Sequence, residues 1–376
     1  MSDTILALNA GSSSLKFKAF ALDDLSVVLS GKVTGIGSNP RFKVTYPDET
    51  SFPMSQGGGH HGALTAVLEF IDRHDDDWHL RAIVHRVVHG GSRFRKPAIV
   101  DDACLAALEE LVPLAPLHQQ HNIDAIIASR ALAPGAVDIA CFDTAFHSGQ
   151  DPLFTTFALP GRIRDQGIRR YGFHGISYEW LSRQLRIQRP DLADGRIVMA
   201  HLGNGASLCA MVGGKSVETS MGMTALDGLP MGTRCGAIDP GVVTELGRRG
   251  MGPEEIESIL YNESGLKGLS GLTNDMAALL ASDAPMARFA VDFFVMKVAQ
   301  FTAQLTVAMG GLDAIVFSGG IGENAAAIRN DVTARLGFLP PFETLVIPTD
   351  EERMMAIDAR DLLTEITTRS PGPCAA

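Results

Sequence analysis

One short pattern occurs twice in this chain, and it restricts the fold more than any other feature. Ile5-Leu6-Ala7-Leu8 is an apolar run of strand length, and Leu15, Phe17 and Ala19 alternate with Lys16 and Lys18 as a half-buried second strand would. Asn9-Ala10-Gly11-Ser12-Ser13-Ser14 joins the two. Roughly half a chain later, residues 196–201 form another apolar run. Leu202-Gly203-Asn204-Gly205-Ala206-Ser207 makes a second turn of small residues, and residues 208–212 run back as a strand. Pairing Ser14-Leu15 with Ser207-Leu208 superposes the two units, so the chain reads as two related halves.

The first turn has the chemistry of an anion site. Gly11 permits a positive φ and a close approach of an anion to the backbone. Ser12 and Ser14 can donate hydrogen bonds, and Lys16 adds a positive point charge. An ordinary polar hairpin turn fits these residues equally well, and the second copy favours a polyphosphate tail. Two look-alike motifs carry nothing. Ser13-Ser14-Leu15-Lys16 lacks the Ser-Asp-Asn and Lys-Thr-Gly partners of penicillin-binding enzymes. Gly213-Gly214-Lys215-Ser216 ends like a Walker loop, but Cys209 stands where its first glycine belongs, so a hairpin turn is expected. No Gly-x-Gly-x-x-Gly follows a strand, which removes support for a dinucleotide fold.

At 376 residues, with 45% hydrophobic and 20% charged, the chain is globular and long enough for two domains. A formal charge of −11 argues against nucleic-acid or membrane-surface binding, so an anionic substrate has to be met by local arginines. The five scattered cysteines (Cys104, Cys141, Cys209, Cys235, Cys374) form no Cys-x-x-Cys pair and fit reduced thiols in a cytosol. No signal peptide or membrane-length apolar run is present, so a cytoplasmic protein is expected.

Along the first half, strands are expected at residues 27–33, 41–46, 82–88 and 137–142, the last ending at Asp143. Helices are expected at 62–73, at 101–111 with Asp101 as N-cap, and at 122–132. Antiparallel strands followed by alternating strand and helix indicate α/β layering. In the second half, a strand at 313–317 runs into Ser318-Gly319-Gly320-Ile321-Gly322-Glu323-Asn324 and a helix, a natural place for an anion or nucleotide. Residues 287–309 form a long helix whose Phe289, Phe293, Met296, Phe301 and Leu305 suit core or subunit contact. Thr349 with Glu352 reads as the capping box of a last helix reaching 362, and the tail 369–376 reads as disordered.

Seven stretches in order make the chain familiar: Asn9 to Lys16, His85-Arg86-Val87-Val88-His89-Gly90-Gly91, Phe142-Asp143-Thr144-Ala145-Phe146-His147, Tyr171-Gly172-Phe173-His174-Gly175, His201-Leu202-Gly203-Asn204-Gly205, Met231-Gly232-Thr233-Arg234 and Gly320-Ile321-Gly322-Glu323-Asn324. With them, residues 3–358 resemble the acetokinase family, within the superfamily of acetate and sugar kinases, heat-shock ATPases and actin. The resemblance implies two duplicated actin-like (ribonuclease H-like) α/β domains with the active site in the cleft between them. The expected division is an acyl and phosphate domain of residues 1–147 plus 353–376 and a nucleotide domain of residues 148–352, hinged near 148–151. The implied activity is reversible, direct in-line transfer of the ATP γ-phosphoryl group to acetate, giving acetyl phosphate and ADP. Mg²⁺, with Mn²⁺ as an alternative, is the implied metal, and a homodimer the implied assembly.

An acyl-phosphate former needs no base, because a carboxylate is already ionised at neutral pH. Phosphoryl transfer asks for alignment and cancellation of charge, which arginines, a hydrogen-bonding histidine and a metal supply, with no Ser-His-Asp arrangement. Arg86 closes a buried-type strand and its planar fork can hold a carboxylate at two points. Arg234 lies in a loop flanked by Gly and Met. By resemblance, Arg86 and Arg234 bind the acyl substrate and stabilise the transition state with His174; a structural ion pair for the arginines, and a backbone-satisfied core histidine for His174, are the plain alternatives. Asp143 is implied to be essential and near the metal. We expect it to position metal-bound water and orient Arg86 rather than act as a base. Asn9 and Glu351 are implied at the metal, while first-turn stabilisation of the last helix also suits Glu351.

For ATP, the resemblance implies Lys16, Ser12, Ser14 and His201, Leu202, Gly203, Asn204, Gly205 at the phosphates. It implies Gly320, Ile321, Gly322, Glu323, Asn324 and Asp275, Met276, Ala277 on the adenosine side. The family has arginine where Ala277 stands, so weaker adenine discrimination is expected. Beside Arg234, Cys235 replaces a serine and Ala237 an aspartate, which puts that loop's hydrogen bonds in question. His118 matches a position near the substrate. The acyl methyl pocket is expected to be lined by Val88, Leu117 and Phe173, with Ala225 replacing a proline, which predicts better tolerance of propionate. A propionate kinase of the same fold is the nearest rival. A sugar kinase would need a polar pocket, and an actin- or chaperone-like ATPase would not need Arg86 and Arg234 at the γ-phosphate.

Overall fold

The structure is a computed structural model that describes residues 2–11, 14–46, 48–54, 59–73 and 78–369, the side chains of Pro116, Leu117, Thr367 and Arg369 excepted. Ser12, Cys374 and nearly all of the expected disordered tail lie outside the described residues. The chain divides into two compact units, Met1–Ala145 with Asp350–Ala376, and Phe146–Thr349.

The first unit is built on an eight-stranded sheet of order β5-β4-β3-β2-β1-β6-β8-β7. Its strands are β1 (Ser2–Gly11), β2 (Ser14–Ala21), β3 (Val27–Thr34), β4 (Arg41–Thr45), β5 (Glu49–Pro53), β6 (Trp78–Val87), β7 (Ala98–Ile99) and β8 (Val137–Phe142). The hairpin read from the sequence is present, with Asn9 opposite Lys16 and Gly11 opposite Ser14. Leu15, Phe17 and Ala19 are buried while Lys16 is exposed, so the alternation in the sequence is the pleat itself. β6 lies parallel to β1 and β8 parallel to β6. Helices α1 (Gly59–Asp72), α2 (Asp102–Glu109) and α3 (Pro116–Leu132) follow, and Asp101 caps α2 by accepting from Cys104 N at 2.7 Å. Ile5 to Leu8 is buried throughout, as expected of a strand covered on both faces. Leu6 and Leu8 pack with Leu64 of α1 and Ala128 of α3, and the C-terminal helix Glu351–Arg369 packs against β1, β2 and β6.

The second unit repeats the plan with five strands, β9 (Arg196–Leu202), β10 (Ala206–Val212), β11 (Lys215–Thr219), β12 (Ala314–Ser318) and β13 (Glu343–Val346). Their order is β11-β10-β9-β12-β13. The hairpin β9–β10 is antiparallel, and β12 and β13 extend the sheet in parallel. This reproduces the β3-β2-β1-β6-β8 order of the first unit strand for strand. Gly213 and Gly214, both with positive φ, make the β10–β11 hairpin turn that the sequence implied. The helices that bear on the site are α4 (Gly175–Gln188), α5 (Met276–Leu280), α6 (Pro285–Met309), α7 (Gly319–Asn324) and α8 (Ala326–Arg335). Tyr178, Leu181 and Leu185 of α4 pack with Ile197, Met199 and Val316 into one core.

Two expectations need correction, and two further features are undecided or unread in the sequence. Gly11 has no positive φ; it ends β1 as extended backbone, so only close approach can account for it. The last helix is capped by Asp350, which accepts from Arg353 N at 3.2 Å, and not by Thr349, whose hydroxyl meets Ser177 at 3.0 Å. In α6 the buried stripe is Ala287, Ala290, Val291, Phe294, Val298 and Leu305, at helical spacing. Phe289 and Met296 lie off it, 50% and 39% exposed, so they are not core. The short edge strands β5, β7 and β13 were not anticipated: β5 is exposed along its whole length and β7 has two residues, which leaves no apolar alternation to read.

Candidate active site

In the first unit, β1, β6 and β8 are neighbours that run parallel, so their C-terminal ends share one edge, where α/β sheets carry functional side chains. Asn9 is near the end of β1, Arg86 next to last in β6, and Asp143 immediately follows β8. Arg86 donates from Nε to Asp143 Oδ1 at 3.0 Å and from Nη2 to Asp143 Oδ2 at 2.6 Å, a two-point contact. Its Nη1 donates to Asn9 Oδ1 at 3.2 Å, Asn9 Nδ2 donates to Glu351 Oε2 at 3.2 Å, and Glu351 lies 3.9 Å from Arg86. Four of the residues singled out in the sequence thus form one cluster. Because Asp143 occupies one edge of the guanidinium, a substrate carboxylate would have to use the outer hydrogens of Nη1 and Nη2.

The cluster is electrostatically tense. Burial, reinforced by Glu351, pushes the Asp143 carboxyl above its ordinary range against the pull of Arg86. Burial alone would lower the Arg86 pKa, but Asp143 and Glu351 raise it, so the guanidinium stays charged. Lys16 stands exposed on β2 opposite Asn9 and makes no ion pair among the described residues, whereas Lys18 meets Asp350 at 2.7 Å. Ser14 opens β2, and Ser12 lies outside the described residues. Val88 is buried, with its N–H held by Asn122 Oδ1 at 3.1 Å, and Gln119 clamps His89 from the same helix face. His118 is half-buried in the first turn of α3 next to Leu117, whose side chain is not among those described.

The oxygen set of Asn9, Asp143 and Glu351 fits a hard divalent cation held through its waters. It does not form a dedicated cage, since among the described residues no three His, Cys, Asp or Glu side chains converge as a metal centre. Contrary to expectation, a buried Ser-His-Asp cluster does exist. His85 Nε2 lies 2.7 Å from Asp138 Oδ1 and 3.1 Å from Ser129 Oγ, which donates to the same carboxylate. One ring nitrogen faces both partners, and all three are buried between α3, β6 and β8, so this is a core brace and not a nucleophilic triad.

In the second unit, His174 is the N-cap of α4 and sits in the left-handed region at φ 59°, a conformation uncommon outside glycine. Its Nδ1 lies 2.8 Å from Ser207 Oγ, and its ring stacks on His201 with centroids 4.4 Å apart. His201 Nδ1 in turn lies 2.8 Å from Ser177 Oγ. A side chain at Gly205 would start 3.3 Å from His174 Nε2 and 4.0 Å from Arg234 Nη1, so both groups flank that glycine. Leu202 is fully buried and serves the core.

Backbone supplies what the two departures beside Arg234 put in question. Cys235 N donates to Leu260 O at 2.9 Å and Ala237 N to Gly228 O at 2.8 Å. A Cβ at Gly232 would meet Asn204 Oδ1, so a side chain here would displace that amide. Arg234 Nη1 donates to the Ala225 carbonyl at 3.1 Å, and its guanidinium lies 5.9 Å from the Tyr261 ring centroid. Burial pushes the Cys235 thiol up to about 11, so it is no nucleophile at neutral pH. Phe173 is buried, its carbonyl accepting from His147 Nε2 at 3.0 Å.

A cavity of about 510 Å³ gathers Gly203, Asn204, Asp275, Met276, Ala277, Gly320, Ile321 and Asn324 from three separate motifs, together with Asn274, Leu280 and Ala325. Its size suits a nucleoside. Asp275 is spent as the N-cap of α5, accepting from Ala277 N at 3.0 Å. Glu323 turns inward, where its Oε1 accepts from Gly319 N and Thr349 N, and Gly322 is buried beside it. Asn274, which donates to Asn204 Oδ1 at 3.0 Å, was missed in the sequence, as were Ser207 and Tyr178. Tyr178 lies four residues after His174, a spacing that could have placed it on the same helix face.

The Acetokinase family model matches residues 4–359. The chain is 42% identical to a protein named acetate kinase from Nitrobacter hamburgensis, covering 98% of both chains. Among solved structures, a propionate kinase from Francisella tularensis matches with a TM-score of 0.88 at 33% identity, covering 95% of this chain and 99% of that one. Porphyromonas gingivalis acetate kinase matches with a TM-score of 0.83 at 31% identity, covering 96% and 100%. The repeated sheet order is therefore the duplicated actin-like fold, and the chain belongs to the acetokinase family.

Proposed function

We propose that the chain is an acetate kinase, transferring the ATP γ-phosphoryl group reversibly to acetate in line and without a covalent enzyme intermediate. The observation that carries this reading is the Arg86–Asp143–Asn9–Glu351 cluster in a chain of this family. Arg86, kept charged and fixed by Asp143, offers its remaining N–H groups to the carboxylate of acetate, which needs no base. Asn9, Asp143 and Glu351 hold the waters of Mg²⁺, with Mn²⁺ suiting the same donors; the metal supplies charge neutralisation on the phosphates. Lys16 and Ser14, with Ser12, serve the phosphates. His118, Val88 and Leu117 serve the acyl end in the first unit, the acyl domain. In the second unit, the nucleotide domain, the cavity at Gly203, Ala277 and Gly320 takes the nucleoside, while His174, His201 and Arg234 donate to the phosphoryl oxygens.

Propionate is the second acyl substrate we propose, because Ala225 and Phe173 leave room where the family has a proline. One extra methylene is worth at most ~1–3 kcal/mol of discrimination. A hydroxamate assay across formate, acetate, propionate and butyrate with Mg-ATP tests both statements. Acyl phosphate from acetate is expected, with propionate within about a hundredfold in kcat/KM. ATP hydrolysis without acyl phosphate would overturn the first, and a propionate kcat/KM several hundredfold below acetate would overturn the second.

We further propose a homodimer using the exposed Phe289 and Met296 of α6 with the half-buried Phe293 between them, and a cytoplasmic location consistent with Cys104, Cys209 and Cys235 outside any disulfide. No helix of the described residues is long and apolar enough to cross a membrane.

A further inference from the structure

We propose that Ser207, its hydroxyl oriented by Tyr178, is a positioning residue that fixes the tautomer of His174, holding its proton on Nε2 so that the ring meets the phosphoryl group as a hydrogen-bond donor. This rests on the reading of His174 given above.

The geometry is a chain of three side chains with one consistent direction. Ser207, near the start of β10, is fully buried, and its Oγ lies 2.8 Å from His174 Nδ1 and 2.5 Å from the Tyr178 hydroxyl. Tyr178, one turn into α4, is also fully buried, packed against the His147 ring 5.7 Å away and within the core of Leu181, Met199 and Cys209. Burial holds the phenol neutral, and its oxygen also meets the His201 backbone N–H. The phenolic proton therefore has one acceptor among the described residues, Ser207 Oγ. Ser207 Oγ has a second lone pair, but accepting there from Nδ1–H would leave its own buried proton with no acceptor among the described residues, so that proton points to His174 Nδ1. Nδ1 is then the acceptor, and the imidazole proton sits on Nε2, the atom beside Gly205. In the reverse direction, with Nδ1–H donating to Ser207 and Ser207 to the phenol oxygen, the buried Tyr178 O–H would have no acceptor, a cost that native interiors avoid.

The family reaction calls for a donor at this point, since charge builds on the transferring phosphoryl oxygens and a lone pair there would repel them. Removing the Ser207 hydroxyl takes away the donor that Nδ1 accepts from, and both tautomers become populated, whereas in Tyr178→Phe the Ser207 proton still has Nδ1 as its acceptor.

The test uses the full chain labelled with ¹⁵N-histidine, in mildly alkaline buffer where imidazoles are neutral. The His174 ring signals are assigned by their loss in His174→Gln. The wild-type protein should show His174 protonated on Nε2. Ser207→Ala should show a mixture of tautomers, with kcat lowered about tenfold and KM for ATP little changed, while Tyr178→Phe should keep the Nε2 tautomer. A wild-type His174 protonated on Nδ1 overturns the proposal without any variant. So does a Ser207→Ala protein, folded by its thermal transition, whose tautomer ratio matches wild type. A changed ratio with unchanged kcat overturns the catalytic consequence of the relay. Wild-type kcat in His174→Gln instead overturns the reading of His174 itself.

Discussion

The two units share a sheet order but hold their polar residues in opposite ways. In the first, the edge of β1, β6 and β8 carries full charges locked against one another, with Asp143 gripping Arg86 from Nε and Nη2. In the second, the matching hairpin ends at two stacked imidazoles, each met at Nδ1 by a serine hydroxyl, at His174 and His201. The parallel strands fix where side chains emerge in both; what emerges decides whether the edge recognises a carboxylate or donates to phosphates. One duplicated scaffold thus carries an ion-paired half and a half whose imidazoles are held by neutral hydroxyl groups, with Arg234 beside them.

The largest effect should come from breaking the ion-paired half. Asp143→Asn leaves Arg86 without its counter-charge, which costs about 3 kcal/mol, at the lower end for a broken buried pair because Arg86 keeps a fifth of its side chain exposed. Steady-state kinetics should show kcat/KM for acetate reduced at least about a hundredfold. Near-wild-type kinetics would mean the pair is ornamental.

A smaller effect should mark the second half through His147, which burial holds at a pKa of about 4 despite its bond to the Phe173 carbonyl. The unfolded chain binds that proton near pH 6.5, so its stabilising contribution is intact above 6.5 and is lost as pH falls towards 4. Between neutral pH and one or two units above its folded pKa this amounts to roughly 2 kcal/mol. Denaturant unfolding across that range should show the loss, and His147→Asn should flatten it. An equal slope in wild type and variant would place the titration elsewhere.

The smallest effect concerns Ala277 at the 510 Å³ cavity. Wild type should use GTP and ITP alongside ATP, and Ala277→Arg should improve the preference for ATP about tenfold. Strict ATP use by the wild type would contradict this.

Much of this was legible in the sequence for a physical reason. Strand-length apolar runs ending at Asn9, Arg86 and Asp143 place those residues at one sheet edge whenever the strands run parallel, and the repeat at Gly203 announces the second lobe. That Asp143 orients Arg86 was expected, but other pairing that depends on tertiary packing was not legible: that Asp350 and not Thr349 caps the last helix, or that Ser129, His85 and Asp138 meet in the core. The sequence does not decide whether the apolar residues of α6 serve the core or a subunit contact, because Phe289 and Met296 fall one stripe away from Ala290, Phe294 and Val298, a rotation that composition does not reveal.

The division of labour between the two units is tested most directly by Arg86→Lys, with acetate and Mg-ATP varied in turn. A lysine keeps the charge but cannot hold Asp143 and a carboxylate together. KM for acetate should rise at least about tenfold while KM for ATP stays within twofold of wild type. An unchanged acetate KM with weakened ATP binding would contradict the assignment of the first unit to the acyl substrate.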